Sequence, residues 1–325
     1  MQRVRGHQLF ELRPLMAQEI KIGTRGSQLA LWQSNWVKSR LMEKFPGLTV
    51  ELVIIKTKGD KIQDVPLARV GGKGLFVKEI EEAILDRRVD LAVHSMKDMP
   101  ALIPEGLCIG AIPDRENPKD ALVSRNSLSL SELPQGARIG TSSLRRAAQL
   151  KHLRPDLEIL PLRGNLDTRL KKLETEDLDA VVLAAAGLRR MDLDHRVTQY
   201  LDETEMLPAV GQGALCIESR ENDPHIGPLT AALDHARTRT VVMGERAFLH
   251  RLEGGCQVPI AAHGTLFDGQ FSLIGMVASL DGAQLIRDTL TGPANESESI
   301  GVELAERLLA RGAGKLLETL KDTHE

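Results

Sequence analysis

The chain makes the same turn twice. Ile22-Gly23-Thr24 leads through Ser27 into the helical pattern QLALWQSNWVKSRLMEKF, and Ile139-Gly140-Thr141-Ser142 leads into SLRRAAQLKHL. A short strand that feeds a helix within a few residues opens a parallel β-α-β unit. Two such openings imply two α/β segments on one plan. The first continues with LTVELVIIKT, a strand rich in β-branched residues, then with LFVKEIEEAILDRRV, a helix with Phe76, Ile80 and Ile84 on one face, and then with the strand DLAVHS. The second continues with the strand LEILPL, the helix NLDTRLKKLET and the strand DAVVLAA. PDRENPK (113–119) and TEMLPAVGQGA (204–214) read as connections, the latter a return crossing to the first segment. Residues 56–74, glycine-rich at their end and without apolar period, read as a mobile loop.

The last part of the chain changes character. After the helical stretch VVMGERAFLHRLEGG come the strands PIAAHGTLF, QFSLIGMVASL and AQLIRDTL, separated by Asp268-Gly269 and Asp281-Gly282, both hairpin signals. A final amphipathic helix is predicted from about Ile300 to Leu320. The whole reads as two α/β lobes followed by an α+β domain with a small antiparallel sheet, and 325 residues are enough for each to hold its own core. With aromatics at 3%, those cores must be built from Leu, Ile, Val and Ala.

Several function classes are excluded at this stage. No apolar run approaches the ~18 residues of a membrane span, the longest being AVVLAAAGL from Ala180. Residues 1–18 scatter arginines and acids without an apolar core, so they are not a secretory signal. They are expected to form a disordered extension of a cytoplasmic protein. The three cysteines, Cys108, Cys216 and Cys256, form no C-x-x-C pair and no zinc spacing, so neither a disulfide framework nor a metal site is indicated. Cys108 and Cys216 lie in short apolar runs, where cysteine is usually a small buried hydrophobe.

A net charge of −3 argues against a general polyanion binder, but residues 138–172 hold nine Lys or Arg against three acids. A helix N-terminus offers unpaired N–H groups and partial positive charge. The two echoing junctions add Arg25 at one and Arg145-Arg146 at the other, with Arg163, Arg169, Arg189 and Arg190 following. Arginine suits bidentate recognition of carboxylates, so a substrate rich in carboxylates would account for them. Nucleic acid would too, but it favours aromatic stacking platforms, and the chain has one Tyr and two Trp. A non-catalytic, two-lobed anion-binding module also remains open. In VHSMKDMP, His94, Ser95, Lys97 and Asp98 follow a strand directly, where functional groups of parallel sheets collect. Lys97 beside Asp98 reads either as a solvated ion pair or as part of a site in which the carboxylate balances a cation and moves protons. Cys256 in LEGGCQVPIA reads either as the residue after a glycine helix cap or as an exposed thiol.

Taken together, GTRGS, GGKGLF, HSMKDMP, GTSSLRR, LRGN, AVGQGAL and EGGCQVPIA occur in the order found in the porphobilinogen deaminase family, also called hydroxymethylbilane synthases. The chain resembles that family from about Ile20 to its C-terminus. Met99 stands where the family usually has an aliphatic residue, and residues 1–18 have no family counterpart. The resemblance implies two lobes like those of periplasmic binding proteins, formed by residues 19–113 with 211–233 and by 117–209. It implies a C-terminal, cofactor-anchoring domain over 236–325. It implies a transferase of tetrapyrrole biosynthesis that joins four porphobilinogen molecules head to tail, losing ammonia at each step, and releases the linear product with water. Cys256 would carry a dipyrromethane cofactor through a thioether, and Asp98 would be the catalytic carboxylate. Arg25, Ser27, Ser95, Lys97, Thr141, Ser142, Ser143, Arg145, Arg146, Arg163, Arg169 and Arg190 would bind cofactor or substrate, with Lys73 on a loop over the cleft. Porphobilinogen is the expected partner, with no metal, no nucleic acid and no membrane, and the expected form is a monomer.

Overall fold

The structure, a computed structural model, describes residues 19–61, 77–252 and 258–322. The first lobe is built from β1 (Glu19–Thr24), α1 (Gln28–Lys44), β2 (Thr49–Ile54), the short turn α2 (Lys58–Lys61), α3 (Lys78–Leu85), β3 (Leu91–Ser95) and β4 (Leu107–Ala111). The chain then crosses to β5 (Asp120–Ser124), β6 (Arg138–Gly140), α4 (Leu144–Leu153), β7 (Glu158–Leu160), α5 (Leu166–Thr175), β8 (Ala180–Ala184), α6 (Ala185–Arg190) and β9 (Gln199–Leu201). It returns as β10 (Leu215–Arg220) and α7 (Ile226–Ala231), and α8 (Ala236–Arg251) leads into β11 (Ile260–Phe267), β12 (Gln270–Ala278), β13 (Leu285–Pro293), α9 (Ser297–Leu308) and α10 (Gly314–Asp322).

The sheets run β2-β1-β3-β10-β4 and β7-β6-β8-β5-β9. In each, three parallel strands are followed by one antiparallel strand, β10 or β5, donated by the chain after a crossing. Alternate strand residues fill opposite faces, as the two-residue period of a strand requires. Leu91, Val93 and Ile217 pack on Val37 and Leu41 of α1, whereas Ala92 packs on Ile80, Ala83 and Ile84 of α3. In the second sheet, Val182 and Ile139 meet Leu150 of α4 on one side, and Val181 and Leu183 meet Leu170 and Leu173 of α5 on the other. Sheets covered on both faces put their open chemistry at strand ends.

The two crossings are tied to each other. Arg115 Nε donates to the Gln212 carbonyl (2.8 Å), Gln212 Nε2 to the Pro118 carbonyl (2.7 Å), and the Glu116 N–H to the Gly213 carbonyl (3.3 Å). Gly213 has φ +89°, and a Cβ there would lie 2.3 Å from the Glu116 carbonyl oxygen, so only glycine lets the strands pass this closely. Glu245, fully buried on α8, fixes the joint to the third sheet. It accepts from Arg115 Nη1 (2.6 Å), the Gly211 N–H (2.7 Å) and the Gly264 N–H (2.8 Å).

The third sheet, β11-β12-β13, is an antiparallel meander. Asp268-Gly269 forms the expected two-residue hairpin, with Phe267 opposite Gln270 and both turn residues at positive φ. Asp281-Gly282 instead lies in a longer loop between Ala278 and Leu285. Phe248, Phe271, Leu273, Leu304 and Leu308 are fully buried between this sheet and α8 and α9, each worth about 1.5–3 kcal/mol relative to exposure. The predicted final helix is two helices. Gly312, at φ +101°, breaks it between α9 and α10.

Of the stretch read as a mobile loop, Thr57 to Lys61 form a turn in which Asp60 accepts from the Thr57 hydroxyl (2.8 Å), while 62–74 lie outside the described residues. One further expectation changes. Cys216 is fully buried, and burial pushes its thiol well above the usual range, but Cys108 is only partly covered.

Candidate active site

The first lobe contributes the ends of β1 and β3. Ser27 has extended backbone angles and caps α1, accepting from the Ala30 N–H (3.3 Å). Arg25, between β1 and that cap, turns to Asp60, donating from Nε (3.0 Å). Burial alone would raise the Asp60 pKa, but hydrogen bonds from Arg25 and Thr57 outweigh it and hold the carboxyl below its ordinary value. Ser95 ends β3 and accepts from Gln33 Nε2 of α1 (3.0 Å). Met96 to Asp98 make one turn of 3-10 helix, which leaves Asp98 exposed and Lys97 half-buried. Arg25, Ser27, Gln33, Ser95 and Asp98 line one pocket.

The second lobe contributes the ends of β6 and β8 and the start of β5. Because β5 is antiparallel to β8, Asp120 at its beginning pairs with Ala184 at the end of β8 and so reaches the same edge. Ser143 caps α4, accepting from the Arg146 N–H (3.5 Å), and Thr141 Oγ1 accepts from the Ser143 N–H (3.2 Å). Ser142 is stapled to Leu162, donating to its carbonyl and accepting from its N–H, both at 2.9 Å. Arg145 donates to both Asp120 oxygens (2.7 and 3.2 Å) and to the Leu207 carbonyl (2.7 Å). Arg146 donates to Asp120 from Nε (2.8 Å) and to the Val182 carbonyl (2.9 Å). All three side chains are buried. Burial would raise the Asp120 pKa, and the two guanidiniums drive it far below the carboxylate range instead.

Around this pair the charges do not balance. Burial first, then repulsion from Arg146, lowers the Lys97 pKa to about 8 despite the attraction of Asp98 and Asp120. Arg169 is lowered to about 10 by burial and by Arg146 and Arg163, with Asp98 opposing. Among the described residues, Lys97, Arg145, Arg146, Arg163 and Arg169 thus share one region with two carboxylates, Asp98 and Asp120. Cations held together at this cost are stabilised when an anion arrives. Dipyrromethane, an acidic group with several carboxylates, fits that deficit. Arg169 donates only from Nε, to the Gly164 carbonyl (2.9 Å), among the described residues, which leaves its terminal nitrogens for such a ligand.

The sequence-derived residues therefore separate. Arg25, Ser27, Ser95, Lys97 and Asp98 gather on one lobe, and Thr141, Ser142, Ser143, Arg145, Arg146, Arg163 and Arg169 on the other. Arg190 lies apart at the crossing, donating to the Gly213 carbonyl (2.7 Å) with burial lowering its pKa to about 10. Lys73 and Cys256 lie outside the described residues. Asp120, which organises the arginines, is missing from the sequence reading. So are Gln33 and Gln212, whose Oε1 lies 3.5 Å from Lys97 Nζ.

Comparison with known proteins identifies the lineage. Residues 20–227 match the family model "Porphobilinogen deaminase, dipyromethane cofactor binding domain", and 239–310 match "Porphobilinogen deaminase, C-terminal domain". A porphobilinogen deaminase of Syntrophotalea carbinolica is 57% identical over 94% of this chain and 96% of its own length. One from Pelobacter propionicus is 56% identical over 92% and 96%. Among solved structures, a probable amino-acid ABC transporter extracellular-binding protein of Bacillus subtilis is similar at 11% identity and a TM-score of 0.39, covering 67% of this chain and 90% of its own. A TRAP periplasmic solute binding protein of Desulfovibrio salexigens is similar at 8% identity and a TM-score of 0.41, covering 67% and 72%. With both family models matched in order and more than half of the aligned residues identical to those of full-length relatives, the chain belongs to the porphobilinogen deaminase family.

Proposed function

We propose that this chain joins porphobilinogen units head to tail on a dipyrromethane held by Cys256, with Asp98 as the catalytic carboxylate. The crowding of five cations against two carboxylates carries this reading, because each pyrrole brings an acetate and a propionate. When bound, the cofactor would supply the free α-carbon to which the first pyrrole is joined, and each later unit is joined to the terminal pyrrole of the growing chain. Departure of ammonia leaves positive charge on the incoming pyrrole, and Asp98 is the exposed carboxylate at the strand end able to balance it. The proton that leaves the α-carbon after C–C bond formation has the same carboxylate as its nearest acceptor in this reading. Lys97, Arg163 and Arg169 bind substituent carboxylates, and Arg145 and Arg146 set the positive potential from beneath while pinned to Asp120. Ser27, Ser95, Thr141, Ser142 and Ser143 line the two strand-to-helix junctions. Arg25 borders the site, Arg190 holds the crossing apart from it, and Lys73 is read as a further ligand of cofactor or substrate.

The net charge of −3 and the scarcity of aromatics support an enzyme that works without nucleic acid, and a cytoplasmic monomer is part of the proposal. Among the described residues no helix is long and apolar enough to cross a membrane. Intact-protein mass tests the proposal. Freshly isolated active protein should carry the mass of two pyrrole units, and Cys256→Ser should carry none and be inactive. Active protein of unmodified mass would remove the primer from the proposal, and modified protein without turnover would leave only an anion-binding module.

A further inference from the structure

A buried acid cluster lies beneath the catalytic segment. His94, one residue before the end of β3, donates from Nε2 to Glu218 Oε2 of β10 at 3.0 Å, and both side chains are buried. Residues 92 and 94 face the side of the sheet covered by α3, because Ala92 packs there and strand side chains alternate. From α3 comes Glu81, 7% exposed. Glu81 Oε1 and Glu218 Oε1 are both buried, and neither has a hydrogen-bond partner among the described residues. A buried carboxylate oxygen without a donor is costly, and two in one place are more so.

The groups around Glu81 explain how the cluster is tolerated. β3 supplies His94, β10 supplies Glu218 and the Cys216 thiol, and Glu82 lies on the same helix. Arg246 of α8 acts on Cys216 and Glu218, but its Nη2 donates to the Pro100 and Ala101 carbonyls (2.8 and 3.0 Å) and its Nη1 lies 3.8 Å from the Met96 sulfur. Among the described residues no lysine or arginine is given over to Glu81. Burial, then the charge of Glu218, raises the Glu81 pKa to about 7 against the opposing effect of His94. A proton on Glu81 removes one of two facing charges and turns an idle acceptor into a donor.

We propose that Glu81 is a positioning residue that holds a proton beneath β3, so that the His94–Glu218 pair, and through it the segment from Ser95 to Asp98, keeps one arrangement. That segment is fastened at successive points. Glu218 holds His94, Gln33 holds Ser95, the Ala214 carbonyl accepts from the Met96 N–H (3.0 Å), and Arg246 holds the chain just beyond Asp98. Repulsion between Glu81 and Glu218 strains the first of these. The inference rests on the proposed role of Asp98 for its effect on rate, but its effect on stability stands independently.

Two variants in the cofactor-loaded enzyme test it. Glu81→Gln imitates the protonated acid and should keep kcat within about threefold of the parent, whereas Glu81→Leu, which cannot hydrogen-bond, should lower kcat at least tenfold with KM nearly unchanged. Because the folded pKa lies above the unfolded value of about 4.5, the stabilisation is present at low pH and lost as the pH rises through about 7. The melting temperature of the parent should therefore fall relative to Glu81→Gln between pH 5 and pH 8.5. Equal loss of kcat in both variants would mean that Glu81 acts ionised, equal retention that it positions nothing, and parallel melting curves that it holds no proton. Each result overturns the inference. A parent that melts as expected but has no turnover would sink the proposed function alone.

Discussion

The two α/β lobes share a topology and a serine-capped first helix, yet they hold their arginines differently. In the first lobe Arg25 meets Asp60 with 26% and 29% of the side chains exposed. In the second, Arg145 and Arg146 meet Asp120 with 6% or less exposed. Water screens the first pair, so its geometry is easily given up for another partner. The second is desolvated and held by several hydrogen bonds, so its guanidiniums are fixed while their charge is still felt by Lys97 and Arg169. One plan thus yields an adjustable side that carries Asp98 and a rigid side that carries the positive potential.

The largest expected effect breaks the rigid side. Asp120→Asn leaves two buried guanidiniums without a counter-charge and should destabilise the protein by about 3–5 kcal/mol. Asp60→Asn, at the half-exposed pair, should cost less than about 1 kcal/mol. Chemical denaturation of both variants measures the difference. Similar losses would mean that the lobes hold their arginines equally firmly, and the contrast drawn here would be wrong.

Chemistry should follow the opposite division. Asp98→Asn keeps size and polarity but removes the charge, and should lower kcat by about 10²-fold, or roughly 2.7 kcal/mol, with little change in melting temperature. Arg163→Leu on the other lobe should mainly raise KM. Steady-state kinetics on the two variants separates the roles. An Asn variant that turns over at the parent rate would reduce Asp98 to an ion-pair partner of Lys97.

What the sequence made legible was local. The junctions at Thr24 and Thr141, the caps at Ser27 and Ser143, and the covered parallel strands follow from patterns a few residues long. Strands β4, β5, β9 and β10 were not singled out, since short apolar runs such as LCIGA and LCIES carry no period that distinguishes them. That omission hid Asp120, whose partner Arg145 lies 25 residues away across the sheet edge, and Glu218, whose partner His94 lies 124 residues away and is reached only through the return crossing. The arginines were legible as an anion signal but not as pinned or open, because pinning depends on those partners. The break at Gly312 was readable from ARGAGK, where two glycines interrupt a helical period that otherwise continues.

A smaller effect concerns Lys97, the cation of the adjustable side that faces the rigid one. Its folded pKa of about 8 lies below the ordinary 10.5, so between these values the unfolded chain binds more protons than the folded one. The penalty is therefore full below about pH 8 and relieved as the pH rises toward 10.5. In a Cys256→Ser background, where no pyrrole carboxylates are tethered, Lys97→Met should raise the melting temperature at pH 7 by about 2–4 °C and give no gain near pH 10.5. With cofactor bound the gain at pH 7 should shrink or reverse, since carboxylates supply what Asp98 and Asp120 do not. A gain independent of pH would show that packing, not charge, sets the difference.

The smallest effect compares the two caps. Ser27 and Ser143 each accept one N–H, at 3.3 and 3.5 Å, and neither helix has an acid in its first turn. As caps alone they are equivalent, and alanine at either should cost about 0.5–1 kcal/mol of stability. Their surroundings are not equivalent. Ser27 shares its pocket with Asp98, which repels a carboxylate, and with Arg25, already engaged by Asp60. Ser143 opens the helix that carries Arg146, beside the cations for which two carboxylates are too few. A substrate carboxylate should therefore prefer the second junction, where the helix N-terminus adds to the guanidinium potential. Ser143→Ala should raise KM for porphobilinogen about threefold while Ser27→Ala leaves it nearly unchanged, with the two losing similar stability. If both raise KM equally, carboxylates are shared between the junctions, and the charge deficit of the second lobe does not direct where the substrate binds.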